Sequence, residues 1–248
     1  IYFFRTRESF HEGKQKLDML KPVMKNLQLL NRTELFQLEP ALDRAQTEIF
    51  GGIYCPTDES GSCRDFTLSL VEICRKKGAY FHFNTTIQNI EKDKHSIKKI
   101  ITDKSNFQAD KYVLACAAFS PLIARMVGEY LPIYPVKGYS ITLPILDQEK
   151  APAHSGIDED NLLAFSLLGD KIRFTSVAEI SGYDTIHTPS DFTEMINLAE
   201  SLFPHTFDFS KVEYWAGLRP MTPNGSPIFG KGKMENLYFS LIKENMEL

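Results

Sequence analysis

The chain has 248 residues, 43% hydrophobic and 24% charged, with a formal net charge of −4 at pH 7. That is ordinary composition for a globular protein of one or two domains, and without a basic surplus it excludes bulk nucleic-acid binding. The four cysteines, at 55, 63, 74 and 116, have no C-x-x-C spacing and no histidine at ligand spacing, which argues against a zinc site, and no apolar run reaches the ~18 residues of a membrane span.

Ile1-Tyr-Phe-Phe4 reads as a buried strand at the very start, and Leu237-Tyr-Phe-Ser240 as another near the end. Core elements at both ends predict a fragment or an internally truncated chain. Residues 8–20 place Phe10, Leu17 and Leu20 at helical spacing. A short apolar run, Leu27–Leu30, precedes Asn31-Arg-Thr-Glu34, a capping-box pattern that opens a short helix stopping near Pro40. Phe66 to Lys77 predicts a helix with Leu68, Leu70, Val71 and Cys74 inward and Gly78 as its C′ residue. A strand is expected at Tyr80–Phe83, then a meander over Thr85–Glu91, Ser96–Thr102 and Phe107–Gln108. Tyr112–Cys116 is continuously apolar, the pattern of a strand covered on both faces. A helix over Ser120–Val127, a long strand over Ile133–Pro144 and a hairpin turning at Gly169-Asp170 follow. Asp191–Phe203 is helical in period, and Val212–Leu218 is a strand.

That strand leads into Trp215-Ala-Gly-Leu-Arg-Pro-Met-Thr-Pro-Asn-Gly-Ser-Pro-Ile-Phe-Gly230. Its three prolines fix φ and bias their predecessors toward extended geometry, and Asn224-Gly225 is a turn signal. The expected product is a stiff backbone presenting one cation, Arg219. A planar guanidinium suits two-pronged recognition of a carboxylate, and a solvated loop arginine is the plain alternative. The mixed pattern predicts an α+β or α/β fold of interleaved segments. Residues 45–132 and 206–248 form part of a nucleotide-binding domain, and residues 1–44 and 133–205 an antiparallel-sheet domain.

Four runs resemble the FAD-dependent D-amino acid oxidase superfamily, on its D-amino acid dehydrogenase branch. They are Pro56–Phe66, Phe81–Ile87, Tyr134-Pro-Val-Lys-Gly-Tyr-Ser-Ile-Thr-Leu-Pro144 and Tyr214–Gly230, in the family's order. The resemblance implies a Rossmann-like FAD domain woven into an antiparallel substrate domain. It also implies oxidation of a D-amino acid to an imino acid that hydrolyses to a 2-oxo acid and ammonia, with FAD as cofactor. Arg219 matches the carboxylate-binding arginine. Tyr139 and Lys137 lie on the strand that passes over the substrate, a buried strand tyrosine and a surface lysine being the alternatives. Thr86 and Ile87 match a segment beside the adenine, read through backbone groups. Cys116 and Ala117 match a second cofactor-contacting turn, where the family has glycine at the position of Ala117, and Gly217 is a further cofactor contact. The electron acceptor is not specified, and the expected setting is cytoplasmic or peripheral on the inner face of a bacterial inner membrane.

The family's G-x-G-x-x-G fingerprint is absent, and Gly230-Lys-Gly-Lys-Met-Glu235 reads as a turn. The family's glycine-rich flavin-facing segment after the Asn236-Leu-Tyr run is also absent from 241–248. This polypeptide alone is therefore expected to bind FAD weakly or not at all, and to be inactive by itself. A degenerate non-catalytic remnant and a glycine- or sarcosine-type flavin amine oxidoreductase are the alternatives.

Overall fold

Side-chain capping starts the first two helices in the computed structural model, which describes residues 1–241 except Lys25. After strand β1 (Tyr2–Phe4), helix α1 (Arg7–Leu20) begins at Thr6, whose hydroxyl accepts from the Ser9 amide at 3.0 Å. Strand β2 (Gln28–Asn31) runs into α2 (Arg32–Leu38), where Asn31 Oδ1 accepts from Glu34 N at 3.0 Å and Glu34 Oε2 accepts from Asn31 N at 2.8 Å. This reciprocal box is the one predicted from Asn31-Arg-Thr-Glu34. Helix α1 lies against β1 through Gly13, where a methyl group would collide with the Phe4 ring. The expected departure from the family over 241–248 falls, beyond Leu241, outside the described residues.

The chain divides into two units of non-contiguous segments. The first takes Ile1–Leu70, Gly138–Ala178 and Ile186–Ala216; the second takes Val71–Lys137, Glu179–Thr185 and the chain from Gly217 onward. Residues 45–70 and 206–216, which the sequence reading put in the nucleotide-binding part, group with the first unit. The reason is pairing: β3 (Gly51–Tyr54) is laddered between β1 and β2, and Phe207 is buried in the first unit's core.

An eight-stranded sheet organises the first unit, in the order β12-β8-β11-β10-β9-β1-β3-β2. Its further strands are β8 (Tyr134–Pro144), β9 (Gly156–Asp158), β10 (Leu163–Leu168), β11 (Lys171–Glu179) and β12 (Glu213–Met221). Strands β8 and β12 run on past the unit boundary. Strands β10 and β11 form the expected hairpin, with Gly169 at φ 68° in its turn. Helix α5 (Thr193–Leu202) contributes Met195, Ala199 and Leu202 to an aromatic core in which Phe203 meets Phe165 edge-on at 5.0 Å. Fully burying side chains of this size stabilises by roughly 1.5–3 kcal/mol each.

Strands β1 and β9 pair in parallel and are clamped by a buried ion pair. Asp158, with no exposed surface, accepts from Arg5 Nε at 2.6 Å and Asn161 Nδ2 at 2.9 Å, while Arg5 Nη1 donates to Thr47 Oγ1 at 3.0 Å. Next to it, Glu159 Oε1 is buried with no hydrogen-bond partner among the described residues. Burial pushes the Glu159 carboxyl up, against the opposing pull of Lys16. The folded chain therefore binds more protons than the unfolded one between the usual carboxylate range and the raised value, and stability falls as pH rises through that window. Glu159→Gln removes this loss. Its melting temperature should exceed the parent's at pH 7. The gap should close below about pH 4; a gap that persists in acid would locate the gain elsewhere.

The second unit carries two three-stranded sheets. Strands β4 (Ile87–Lys92), β5 (Ile97–Thr102) and β6 (Asn106–Phe107) form the expected meander. Its first turn is closed by Asp93, whose carboxylate accepts from the His95 and Ser96 amides at 2.8 Å each. The Lys98 ammonium and these amides hold the Asp93 carboxyl well below the usual range. The other sheet runs β13 (Ile228–Lys231), β14 (Leu237–Leu241), β7 (Tyr112–Leu114), with β14 and β7 parallel. Helix α4 (Ser120–Met126) places Ala124 in a core with Ile90, Ile97, Leu114, Leu237 and Phe239.

Three expectations are corrected here. Helix α3 (Cys63–Lys76) ends at Gly78, at φ 92°, as predicted, but buries none of its residues. Tyr80–Phe83 forms no strand; its residues are exposed, and Arg75 stacks over the rings of Phe81 and Phe83 at 5.6 and 5.5 Å. Strand β7 is not covered on both faces: Tyr112 and Leu114 are buried, whereas Val113 is 64% exposed. Apolar content alone does not distinguish a covered residue from an uncovered one.

Candidate functional site

The proline-rich segment becomes a strand, a turn and a second strand. Strand β12 carries Gly217, Arg219 and Pro220. Proline cannot donate to a ladder, and β12 is the terminal strand of its sheet, where that loss is tolerated. Gly225, at φ 74°, donates to Thr222 O at 3.2 Å, the Thr222 hydroxyl donates to Ser226 O at 2.9 Å, and Asn224 Oδ1 accepts from Ser226 N at 3.1 Å. The turn is thus held by its own side chains, and β13 follows.

Arg219 is half-buried on β12, with no ion-pair or hydrogen-bond partner among the described residues. A guanidinium with part of its hydration removed and no internal carboxylate retains its full capacity for an external anion. Charge-assisted hydrogen bonds of this kind contribute roughly 1.5–3 kcal/mol each when water is excluded.

Of the eight residues singled out in the sequence, seven fall in the second unit and one, Tyr139, in the first. Tyr139 is 5% exposed, packs edge-on to Phe192 at 5.3 Å and accepts from the Thr175 hydroxyl at its carbonyl, 2.9 Å away. Lys137 is buried rather than on the surface, its Nζ 3.9 Å from Glu179 Oε2. Lys137 and Arg219 stand on neighbouring strands, β8 and β12.

Thr86 is exposed, and its backbone is engaged: its N–H donates to Asp103 Oδ1 at 2.8 Å and its carbonyl accepts from Asp103 N at 3.0 Å. The carbonyl keeps one lone pair for another donor; the N–H does not. Ile87 pairs with Thr102 at the start of β4, and its side chain lines a small apolar cavity of about 70 Å³ with Ile90, Tyr112 and Cys116.

Cys116 and Ala117 are exposed, and Ala117 adopts φ 45°. That left-handed conformation is free for glycine and costs other residues roughly 1–2 kcal/mol. The turn therefore keeps a glycine's backbone shape while carrying a methyl group. Ala117→Gly should raise stability by about 1 kcal/mol in urea denaturation. A fall instead would mean that the methyl packs against something the backbone conformation does not reveal.

The matched relatives now decide the family. The sequence matches the FAD dependent oxidoreductase (DAO) family over residues 1–241. The chain belongs to this family. It is 38% identical over 239 residues to D-amino acid dehydrogenase 2 of Mesorhizobium japonicum, covering 96% of this chain and 58% of that protein. It is 34% identical over 238 residues to D-amino acid dehydrogenase of Vibrio vulnificus, covering 96% and 57%. Among solved structures, glycine oxidase from Geobacillus kaustophilus superposes with a TM-score of 0.84 at 19% identity, over 97% of this chain and 64% of that one. L-proline dehydrogenase from P. horikoshii gives 0.80 at 18%, over 97% and 66%. These two likenesses establish the DAO-type flavoenzyme fold. The chain spans a little under three fifths of the length of the curated relatives it matches.

FAD is the family's cofactor. Ala117 has a glycine-like backbone conformation, and the Thr86 carbonyl keeps one lone pair. For the pyrophosphate, the chain has no G-x-G-x-x-G run leading into a helix. Among the described residues, no helix is long and apolar enough to cross a membrane.

Proposed function

We propose that this chain is the substrate-holding part of an FAD-dependent D-amino acid dehydrogenase, with Arg219 as the carboxylate ligand. The observation that carries this reading is a half-buried arginine on β12, with no ion-pair partner among the described residues, in a chain 34–38% identical to D-amino acid dehydrogenases. A bidentate guanidinium–carboxylate pair fixes one end of the amino acid and removes its rotational freedom, so the Cα–H meets its acceptor in one orientation. When bound, FAD supplies the two-electron acceptor for that hydrogen. The chain's own work is positioning. The terminal strand and the self-bonded Thr222–Ser226 turn keep the Arg219 backbone stiff, and Lys137, held near Glu179, adds a buried cation on the neighbouring strand. Tyr139 contributes through the core that supports β8. The imino acid product hydrolyses to a 2-oxo acid and ammonia, and an electron acceptor closes the cycle.

A chimera tests the reading: this chain replaces the matched region of the 38%-identical relative. A yellow, flavin-loaded chimera should reduce a redox dye with D-amino acids. A yellow chimera that turns over glycine or sarcosine and not D-amino acids would overturn the substrate assignment. One that holds flavin and oxidises none of them would overturn the enzymatic reading.

A further inference from the structure

The turn after β7 has little support of its own. Ala117–Phe119 forms one 3₁₀ turn, closed by the Phe119 N–H, which donates to Cys116 O at 2.9 Å, and the Cys116 side chain gives it no cap. Its first residue, Ala117, holds φ 45°, a conformation that alanine disfavours. Left to itself, such a residue relaxes toward right-handed or extended backbone. The turn therefore needs support from elsewhere in the chain.

A brace comes from far along the sequence. Tyr183 donates its hydroxyl to Ala118 O at 3.2 Å, and its ring packs on Phe119 at 5.5 Å with 32° between the planes. Ala118 is buried while Tyr183 is partly exposed, so the hydroxyl reaches inward to the turn. The segment Glu179–Thr185 belongs to the second unit, as the turn does, although both flanks of the segment belong to the first. Its start is anchored as well, because Glu179 Oε2 lies 3.9 Å from Lys137 Nζ. We infer that Tyr183 is a positioning residue for the Cys116–Ala117 turn. By holding the Ala118 carbonyl it keeps Ala117 left-handed, and with it the backbone that meets the flavin cofactor. This rests on the assignment of Cys116 and Ala117 to the cofactor, and not on the substrate assigned above.

Amide hydrogen exchange on the full chain tests the brace without flavin. Tyr183→Phe removes the hydroxyl and keeps the ring. Exchange at the Phe119 amide should quicken by roughly two- to tenfold, the range that one net hydrogen bond supplies. The His95 and Ser96 amides, bonded to Asp93 in the same unit, should keep their rates. Tyr183→Leu, which also removes the ring packing on Phe119, should quicken Phe119 further. In an Ala117→Gly background the effect of Tyr183→Phe should largely vanish, because glycine stays left-handed without a brace. In the flavin-loaded chimera, Tyr183→Phe should weaken FAD binding by a similar factor and alter the visible circular dichroism of the flavin, and Ala117→Gly should restore both. An unchanged Phe119 amide would overturn the inference. Equal quickening of Phe119 and the Asp93-bonded amides would overturn it too, since that marks general destabilisation. A loosened turn with unchanged flavin affinity and spectrum would remove the positioning role. None of these readouts uses turnover, so failure here is separable from failure of the dehydrogenase reading.

Discussion

Arg219→Ala in the flavin-loaded chimera should lower kcat/KM for D-amino acids by roughly 10²–10³-fold, the equivalent of losing about 3–4 kcal/mol of charge-assisted bonding in the transition state. The argument is local. Arg219 has no internal ion-pair partner among the described residues, so its removal orphans nothing in the protein. Its melting temperature and flavin content should therefore stay near the parent's while activity falls. Arg219→Lys should recover little, because an ammonium keeps the charge but cannot present two parallel donors to a carboxylate. The parent should prefer a D-amino acid over the corresponding D-amino acid amide, and Arg219→Ala should erase that preference. A variant that retains it, or loses flavin and activity together, would remove Arg219 from the substrate. The comparison separates a carboxylate ligand from an arginine that merely stiffens β12.

Asp158→Ala should cost about 3–5 kcal/mol in urea denaturation, enough to threaten the folded state of a marginally stable domain. Asp158 is fully buried and binds Arg5, whose side chain is only 15% exposed. Deleting the carboxylate leaves a buried guanidinium without its charge partner and frees the Asn161 amide group that Asp158 Oδ2 accepts from at 2.9 Å. Asp158 stands opposite Phe3 where β1 runs parallel to β9. Removing both charges is a different matter. An Arg5→Met, Asp158→Leu double variant should regain most of the loss, because the penalty lies in the unpaired charge rather than in the absence of an attractive pair. If the single variant is as stable as the parent, the clamp is not what holds these strands together.

Much of the fold was legible locally. The Asn31–Glu34 box, the Gly78 terminator, the Gly169-Asp170 hairpin and the Asn224-Gly225 turn all depend on groups within a few residues of one another, and each appears as predicted. Burial was less legible. Leu68 and Leu70 were expected inward and lie exposed, and Lys137, given a surface place as its alternative, is buried. Periodicity identifies an apolar side of a helix or strand but not the neighbour that covers it. The same limit applies at Ala117, whose left-handed φ is not a preference of alanine.

The sequence by itself determined the family, through runs such as Trp215–Gly230, and it determined the caps, turns and strand periods that short-range hydrogen bonding and sterics dictate. Only the tertiary structure decided that Arg219 has no ion-pair partner among the described residues, that Tyr139 packs into a core, and that α3 buries none of its residues. Those facts depend on which residues distant in the chain approach one another. Solvation and ion pairing respond to that proximity, which no local pattern encodes.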